Sequence, residues 1–443
     1  MKLFMVAVAM LGTAVVVIVV GDPAQAQIVQ QYFPTDLPAY ESDITLPMPD
    51  YDPRVAHGQG FRVDGLTIGT SASEAVGYDS APLGSFGGRS PTVVTGANVS
   101  VNSDWSRGAI GAQIGVDDHR YTSTPIANYT NWNTAFGSSL NIGRDRVSLG
   151  YDHINQNLAP TQLGVLGITA PVPYSDDDER LTVDIPFSRF RLTPAFEHQQ
   201  FSFGNLFTPI PLNYSTNDHD IWSGALTGVY GLSKGRNLVV MVRGTSADYV
   251  RSGMSTRNDY NDVIGFVGVN IQANAVIGIR ALIGVENRHF RFQRSQTSTI
   301  PTAELDLTWQ PTRLTTVLLW FSREFQDPTF PFASSEVTTS GRAEIKHSIR
   351  RNVELRGFVS VGSSNYGTDN SVLLTARSAN SNQLLTTLGF EGEWIVNRHV
   401  TLKFDYNHNI NNYAGQIAAF TTPLNAIRSY NQNSATLNIT FQR

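Results

Sequence analysis

The sequence of 443 residues contains no cysteine. It therefore cannot form a disulfide scaffold, a thiol nucleophile or a thiolate metal site. After the N-terminal 20 residues it also lacks any apolar run as long as a membrane-spanning helix needs, which is about 20 residues. Charge is scarce, at 16% of residues with a net charge of −5. This mildly acidic balance gives no reason to expect a nucleic-acid partner.

The N-terminus has the pattern of an export signal. Lys2 gives a basic start, an apolar run covers residues 3–20, and Ala24 and Ala26 form an A-x-A cleavage pattern. We predict that residues 1–26 are a cleaved signal peptide. An uncleaved anchor helix is the alternative, because the run is nearly long enough to span a bilayer.

Residues 27–60 form a segment rich in proline and acidic residues, for which we predict an extended conformation in the periplasm. Three hypotheses stand for this segment: a docking arm for a partner, a partial obstruction of a lumen, and a disordered leader.

Residues 302–321, TAELDLTWQPTRLTTVLLWF, show the pattern that dominates the remaining sequence. Leu305 and Leu307 alternate with Glu304 and Asp306, and a second alternating run follows a short polar turn. Such a period of two on both sides of a turn predicts a β-hairpin. In an outer-membrane barrel the apolar face would meet lipid and the polar face would line the lumen.

Similar short turns recur about forty residues apart. They are Ser106-Arg107-Gly108, Arg144-Asp145-Arg146, Ser188-Arg189, Lys234-Gly235-Arg236-Asn237, Ala273-Asn274-Ala275, Pro311-Thr312-Arg313, Arg350-Arg351-Asn352 and Asn397-Arg398-His399. Long polar stretches such as 155–179 and 362–385 lie between them, and this inequality favours a transmembrane barrel over a β-propeller. Two strands for each turn, plus one at each end, give eighteen strands, with sixteen as the alternative. The predicted fold is all-β: one transmembrane antiparallel β-barrel over residues 61–443, with short periplasmic turns and long extracellular loops.

Aromatic residues near the short turns predict an interfacial girdle. Its predicted members are Trp105, Phe187, Trp309, Trp394 and Phe441. Trp132, Trp222, Phe321, Tyr406 and Tyr413 would form the opposite belt.

Strand alternation places a set of charged side chains on the predicted inner face. These pore-lining candidates are Arg280, Glu286, Glu304, Asp306, Arg342, Glu344, Lys346, Glu354, Arg356, Glu391, Glu393, Lys403 and Asp405. Because both signs are mixed, the lumen should be wet and only weakly ion-selective. The alternative is that these charges pair across neighbouring strands and hold a wide barrel in shape.

No catalytic, metal or cofactor site is predicted, and we expect the protein not to be an enzyme. The acidic run Ser175–Glu179, which we assign to an external loop, lacks the ligand spacing of a calcium loop. The nine histidines are scattered, with no spacing that assembles a catalytic set.

The final strand, SATLNITFQR, alternates as a barrel-closing strand does, although Gln442 and Arg443 follow the aromatic that usually ends it. The stretches 60–79 and 96–121, GFRVDGLTIGTSASEAVGYD and GANVSVNSDWSRGAIGAQIGVDDHRY, resemble the entry region of the outer-membrane beta-barrel porins of the second type. The resemblance continues in the regular spacing of the predicted hairpins from about residue 55 to the end. Its motifs mark strands and turns rather than a site.

The resemblance implies an outer-membrane barrel of a Gram-negative bacterium with both termini in the periplasm. Some family members are linked to exopolysaccharide secretion, so the expected function is a channel for hydrophilic solutes, with exported polysaccharide as the cargo. A general or sugar-uptake porin is the alternative, and a closed barrel with an adhesive or structural surface role is a third hypothesis. The expected partners are outer-membrane lipid and lipopolysaccharide, the barrel-insertion machinery and periplasmic polysaccharide-export proteins.

Overall fold

The computed structural model describes residues 37–39, 60–103, 105, 107–165, 168–205, 214–250, 258–272, 276–291, 297–329, 335–367, 381–414 and 428–443. The predicted signal peptide and nearly all of residues 27–60 lie outside these ranges. In the described part of the chain, no helix has the length and apolar character that a membrane-spanning helix requires.

Nineteen β-strands make up almost all of the described regular structure. They are β1 (Phe61–Val63), β2 (Leu66–Asp79), β3 (Ser90–Ser103), β4 (Gly108–Tyr121), β5 (Tyr129–Ile142), β6 (Asp145–Leu158), β7 (Val172–Pro186), β8 (Phe190–Phe203), β9 (His219–Ser233), β10 (Arg236–Tyr249), β11 (Tyr260–Gln272), β12 (Ile277–Phe290), β13 (Thr297–Thr312), β14 (Thr315–Gln326), β15 (Ser335–Arg350), β16 (Val353–Gly367), β17 (Ser381–Asn397), β18 (Val400–Ala414) and β19 (Tyr430–Gln442). Three short 3₁₀ turns, Gly84–Phe86, Pro125–Ala127 and Tyr214–Asn217, lie in the connections.

Each strand from β2 to β19 pairs antiparallel with its neighbours in sequence, and β19 pairs with β2 to close the sheet. The result is a closed barrel of eighteen strands, which confirms the predicted number. At the seam, the backbone of Arg443 exchanges hydrogen bonds of 2.9 and 3.0 Å with Thr70. The short strand β1 pairs with the start of β2, and the Arg443 guanidinium lies 4.2 Å from the ring centroid of Phe61. The two residues after the terminal aromatic thus complete the closure.

The connections differ strongly between the two ends of the barrel. Seven of the eight predicted turns join consecutive strands at one end of the barrel, which we call the turn end, and the longer connections gather at the other, the loop end. The eighth, Ala273-Asn274-Ala275, and Ser106 of the first turn lie outside the described residues. Gly143, in the two-residue turn between β5 and β6, has φ of +67°, a conformation that glycine adopts at little cost.

One predicted loop is wrong. Ser175–Glu179 lies within β7, and the connection that precedes this strand covers only residues 159–171. The acidic run belongs to a strand because its alternate carboxylates face opposite sides of the sheet: Asp176 and Asp178 are buried, whereas Glu179 is exposed.

The outer surface of the barrel is strongly apolar. Alternate residues such as Ile114, Leu149, Val263, Ile283 and Leu437 are more than half exposed. An apolar band of this kind suits contact with lipid, and the pairing of β19 with β2 closes the sheet.

Candidate functional site

The inner wall of the barrel is the candidate functional surface. On β12, Arg280 lies 2.9 Å from Glu304 and 3.8 Å from Asp306, so both carboxylates of β13 face the lumen. Trp309, on the same strand, is exposed on the outer face. The hairpin at 302–321 therefore turns its polar face inward and its apolar face outward.

A network of ion pairs covers the inner wall of β15–β18, and Arg356 is its centre. The Nε atom of Arg356 lies 3.0 Å from Glu344. Its Nη1 and Nη2 atoms lie 3.1 Å from Glu391 and 3.3 Å from Glu354. The side chain of Arg356 is only 4% exposed. One guanidinium therefore joins carboxylates from three neighbouring strands.

Further pairs extend this network to both sides. Arg342 binds Glu344 at 2.9 Å, and Lys403 lies 2.8 Å from Asp405 and 3.5 Å from Glu391. Lys346 is buried on the same face of β15. Because cations and carboxylates are nearly balanced, this wall presents a mixed field rather than a ring of one sign.

The side chains of two other pore-lining candidates also point into the lumen. Glu286 accepts a hydrogen bond of 2.9 Å from the backbone N–H of Phe325. Glu393, on β17, is half-buried and faces Glu354 in the strand register. All thirteen candidates thus lie on the inner face of β12–β18.

The loop end contains a charged cluster that the sequence analysis missed. Arg288 lies 3.1 Å from Asp262 and 3.0 Å from Asp327, and its guanidinium stacks 3.7 Å above the ring centroid of Tyr260. Tyr260 in turn donates a hydrogen bond of 2.8 Å to Asp327. The connection after β14 is thereby tied to the wall of β11 and β12.

A second missed cluster is acidic and lies on β6–β8. Arg180 contacts Asp178, and it lies 3.6 Å from Asp152 and 3.5 Å from Glu197. Asp176 is fully buried on the same face. The alternation of Asp176, Asp178 and Arg180 would have revealed this cluster, had the run been assigned to a strand.

The inner wall of β10–β12 carries an apolar patch. Val239, Ile264, Phe266 and Leu282 form a buried cluster, with Met241 packed against it. The outward residues beside this patch are apolar as well, whereas Arg280, Glu286 and Arg288 of β12 and Asp262 of β11 bring charge to the inner face of the same strands. The inner wall therefore combines the charged side, on β15–β18, with this apolar patch on β10–β12, which we call the apolar side.

A segment from the loop end extends across the lumen. Residues 159–165, the crossing segment, leave β6 and reach β17, where Gln383 accepts a hydrogen bond of 2.9 Å from the Gly164 N–H. The Gln383 amide donates to Gln162 O at 3.2 Å. Leu163 lies against Gly362 of β16, where a Cβ would come within 2.5 Å of its Cδ2. These contacts join opposite sides of the barrel.

The crossing segment is also held by the connection after β14. Thr329 donates a hydrogen bond of 2.8 Å to Gly164 O, and Asn217 donates one of 2.7 Å to Thr329 O. Three connections of the loop end thus form one hydrogen-bonded assembly that narrows the opening.

A cavity lies beside this assembly. Tyr174, Phe203, Gln199, Asp327 and Thr329 contribute to its lining. Aromatic walls with a few convergent polar groups are typical of small-molecule sites.

His219 occupies the wall of this cavity as the middle of a stack, 4.7 Å from Phe201 and 4.5 Å from Tyr249 between ring centroids. In the adjacent connection, burial raises the pKa of Asp218, and the hydrogen bond from the Phe203 N–H opposes that rise. Burial also raises the pKa of Tyr214.

Three of the predicted girdle residues, Trp309, Trp394 and Phe441, lie on the outer face of their strands, whereas Trp105 and Phe187 lie in turns. Trp105, Phe187, Trp309, Trp394 and Phe441 are between 43% and 55% exposed. Tyr413 departs from the predicted opposite belt. It has the inward parity of Lys403 and Asp405 on β18, and its hydroxyl is a hydrogen-bond partner of the inward Gln383.

Among the described residues, no group of three or more His, Cys, Asp or Glu side chains is arranged to hold a metal ion. The lumen is lined by polar, paired and apolar groups, and the candidate site is a surface along which a solute could move.

Comparison with known proteins gives a family match and several distant barrels. The family model described as putative beta-barrel porin 2 matches residues 52–443. No curated protein is similar enough to this chain to count as a match.

Solved structures with a similar fold include OccK2 (OpdF) of Pseudomonas aeruginosa in complex with glucuronate, at 8% identity and a TM-score of 0.47, covering 87% of this chain and 100% of that one. The siderophore receptor PirA of Acinetobacter baumannii has 7% identity and a TM-score of 0.45, with 85% and 80% coverage. OccAB3 of Acinetobacter baumannii has 11% identity and a TM-score of 0.43, with 86% and 100% coverage. At such identities and TM-scores, these likenesses carry no argument about function.

Proposed function

Because the chain belongs to the putative beta-barrel porin 2 family, we propose that it is an outer-membrane channel for hydrophilic solutes and that its cargo is an exported polysaccharide. In the proposed orientation in the outer membrane, the turn end and both termini face the periplasm, as in other bacterial barrels. The crossing segment then lies at the extracellular side.

The inner wall is the observation that carries this proposal. On β15–β18 its charges pair with one another, as the contacts of Arg356 with Glu344, Glu354 and Glu391 illustrate. Neutral polar residues such as Ser340 and Ser360 complete the charged side. A glycan would meet many weak hydrogen-bonding groups, so it could slide along this wall without being trapped.

The crossing segment supports export over free diffusion. Its hydrogen bonds to Gln383 and Thr329 narrow the loop end in the resting protein. A channel of this kind suits a cargo that is delivered from the periplasm by export proteins, because an open pore of eighteen strands would also admit unrelated solutes.

The export role can be tested by a clean gene deletion in a strain with no paralogue. We expect loss of secreted polysaccharide while its synthesis continues inside the cell, and recovery on complementation with the intact gene. Normal secretion by the deletion strain would contradict the export role.

The cavity at the loop end favours a second candidate function, uptake of a sugar. Its aromatic residues, including Tyr174 and Phe203, lie beside the polar groups of Gln199 and Asp327. For an uptake porin, the deletion strain would keep its polysaccharide and would import sugars more slowly at low external concentration.

A further inference from the structure

Three residues of the N-terminal segment lie inside the barrel. Leu37 is 1% exposed and packs against Ala135 of β5 and Ile154 of β6. Ala39 is packed against the same cluster. This contact brings one point of the chain ahead of the barrel onto the inner wall.

Two glycines form a notch in the wall at this point. A Cβ on Gly137 of β5 would come within 1.7 Å of Pro38 O. A Cβ on Gly111 of β4 would come within 2.6 Å of Leu37 Cδ1 and 2.7 Å of Pro38 Cδ. Any larger residue at Gly137 would collide with the Pro38 backbone, so this close approach requires glycine.

The chemistry of the surrounding wall supports a dedicated contact. Neighbouring inward residues of β3–β5, such as Asn98, Gln113, Asn133 and Ser139, are polar. Ile154 is apolar and fully buried among them. Its burial beside Leu37 removes apolar surface from water.

We propose that Leu37-Pro38-Ala39 is an intramolecular anchor, and that Gly111, Ala135, Gly137 and Ile154 form its binding niche. The anchor fixes the N-terminal segment to the inner wall of β4–β6, whichever solute the channel carries. Proline suits this role because its fixed φ lowers the conformational entropy lost on docking.

The chain between the anchor and the barrel is long. Residues 40–59 connect Ala39 to Gly60, and a fully extended segment of that length reaches roughly 66–72 Å. The anchor is therefore held by its own contacts rather than by a short covalent link.

Disulfide formation tests this anchor directly, since the chain has no cysteine of its own. The pair Leu37→Cys and Ala135→Cys should crosslink in isolated outer membranes under mild oxidation, detected by the mobility of the denatured chain on a non-reducing gel. The control pair is Leu37→Cys and Ser360→Cys, because Ser360 faces the lumen from β16. Equal crosslinking of both pairs, or of neither, would overturn the anchor.

The notch is tested by adding Gly137→Ala to the first pair. We expect crosslinking to be lost although the barrel stays folded, as shown by heat-modifiable migration. Gly224→Ala is the matched control, because a Cβ there would have no neighbour within 4 Å. Retained crosslinking in Gly137→Ala would overturn the niche.

A substitution in the N-terminal segment, rather than in a barrel strand, keeps the proposal testable if Gly137→Ala does not fold. With Ala39→Cys as a reporter, Leu37→Asn should make this thiol react faster with a membrane-impermeant maleimide added to the periplasmic side. An unchanged labelling rate would overturn the anchor.

Discussion

The inner wall of β15–β18 and the apolar patch on the inner wall of β10–β12 follow the same strand alternation but differ in chemistry. Around Arg356 the first wall is a network of paired charges. The second wall holds Val239, Phe266 and Leu282 in an apolar cluster. The outer face must be apolar on every strand because it meets lipid, whereas the inner face is free to differ from one side to the other.

This difference indicates which part of the inner wall a solute would follow. Hydroxyl groups of a glycan can exchange hydrogen bonds with the charged side, but the clustered side chains of Val239, Phe266 and Leu282 offer none. We therefore expect the path to follow β13–β18, with the apolar side acting as a packed support.

The largest expected effect is on the charged side. Arg356→Ala leaves Glu344, Glu354 and Glu391 without their shared cation, and the loss of one partner from a buried ion pair is costly. We expect the free energy of unfolding to fall by about 3 kcal/mol, measured by urea titration in detergent. The control is Arg191→Ala: Arg191 has a side chain that is 58% exposed, and the variant should lose less than about 1 kcal/mol. Equal losses in the two variants would contradict a structural role for the network.

On the apolar side, Leu282→Ala should lower the free energy of unfolding by about 2 kcal/mol, since it leaves a cavity in a packed cluster. Leu282 is only 1% exposed. Its neighbour Ile283 points outward and is 67% exposed, so Ile283→Ala is the matched control and should cost much less. A larger loss in Ile283→Ala would mean that the inner cluster is not packed as described.

The crossing segment connects the two sides, and Gln383→Ala should release it. The variant loses the hydrogen bonds to Gly164 and Gln162. We expect this loss to weaken the attachment of the crossing segment to β17 by about 1 kcal/mol. If that energy holds the segment closed, the open fraction of single channels should rise about fivefold. Thr387→Ala, on the same face of β17, is the control and should leave the open fraction unchanged.

The smallest expected effect is on ion selectivity. In the Gln383→Ala background, Glu391→Gln with Asp405→Asn removes two negative charges from the charged side, so the reversal potential in a salt gradient should shift modestly toward anions. Met241→Gln on the apolar side changes no charge and should cause no shift. A shift of the same size in Met241→Gln would contradict the proposed path.

The fold was predictable because its signals are local. Strand ends are marked by turns such as Arg144-Asp145-Arg146, and strands by alternation such as that of Leu305 and Leu307 with Glu304. Counting these signals predicts the eighteen strands of the barrel. The same alternation of side chains along each strand predicted which charged residues point inward.

The rest depends on contacts between distant parts of the chain. Asp176 and Asp178 were assigned to a loop because a run of carboxylates suggests solvent. Val239 is apolar on strands whose outer face is also apolar, so alternation gave no inward assignment. No local pattern marks Leu37 as an anchor, because its niche is built from three other strands.

The most direct test of the channel is single-channel recording in a planar bilayer, comparing the mature wild-type protein with the Gln383→Ala variant and adding oligosaccharides to each. We predict a low conductance for the wild type, and for the variant a large, steady conductance that oligosaccharides interrupt. If the variant inserts as a folded barrel and remains closed, or conducts without any effect of oligosaccharides, the proposed saccharide channel is contradicted.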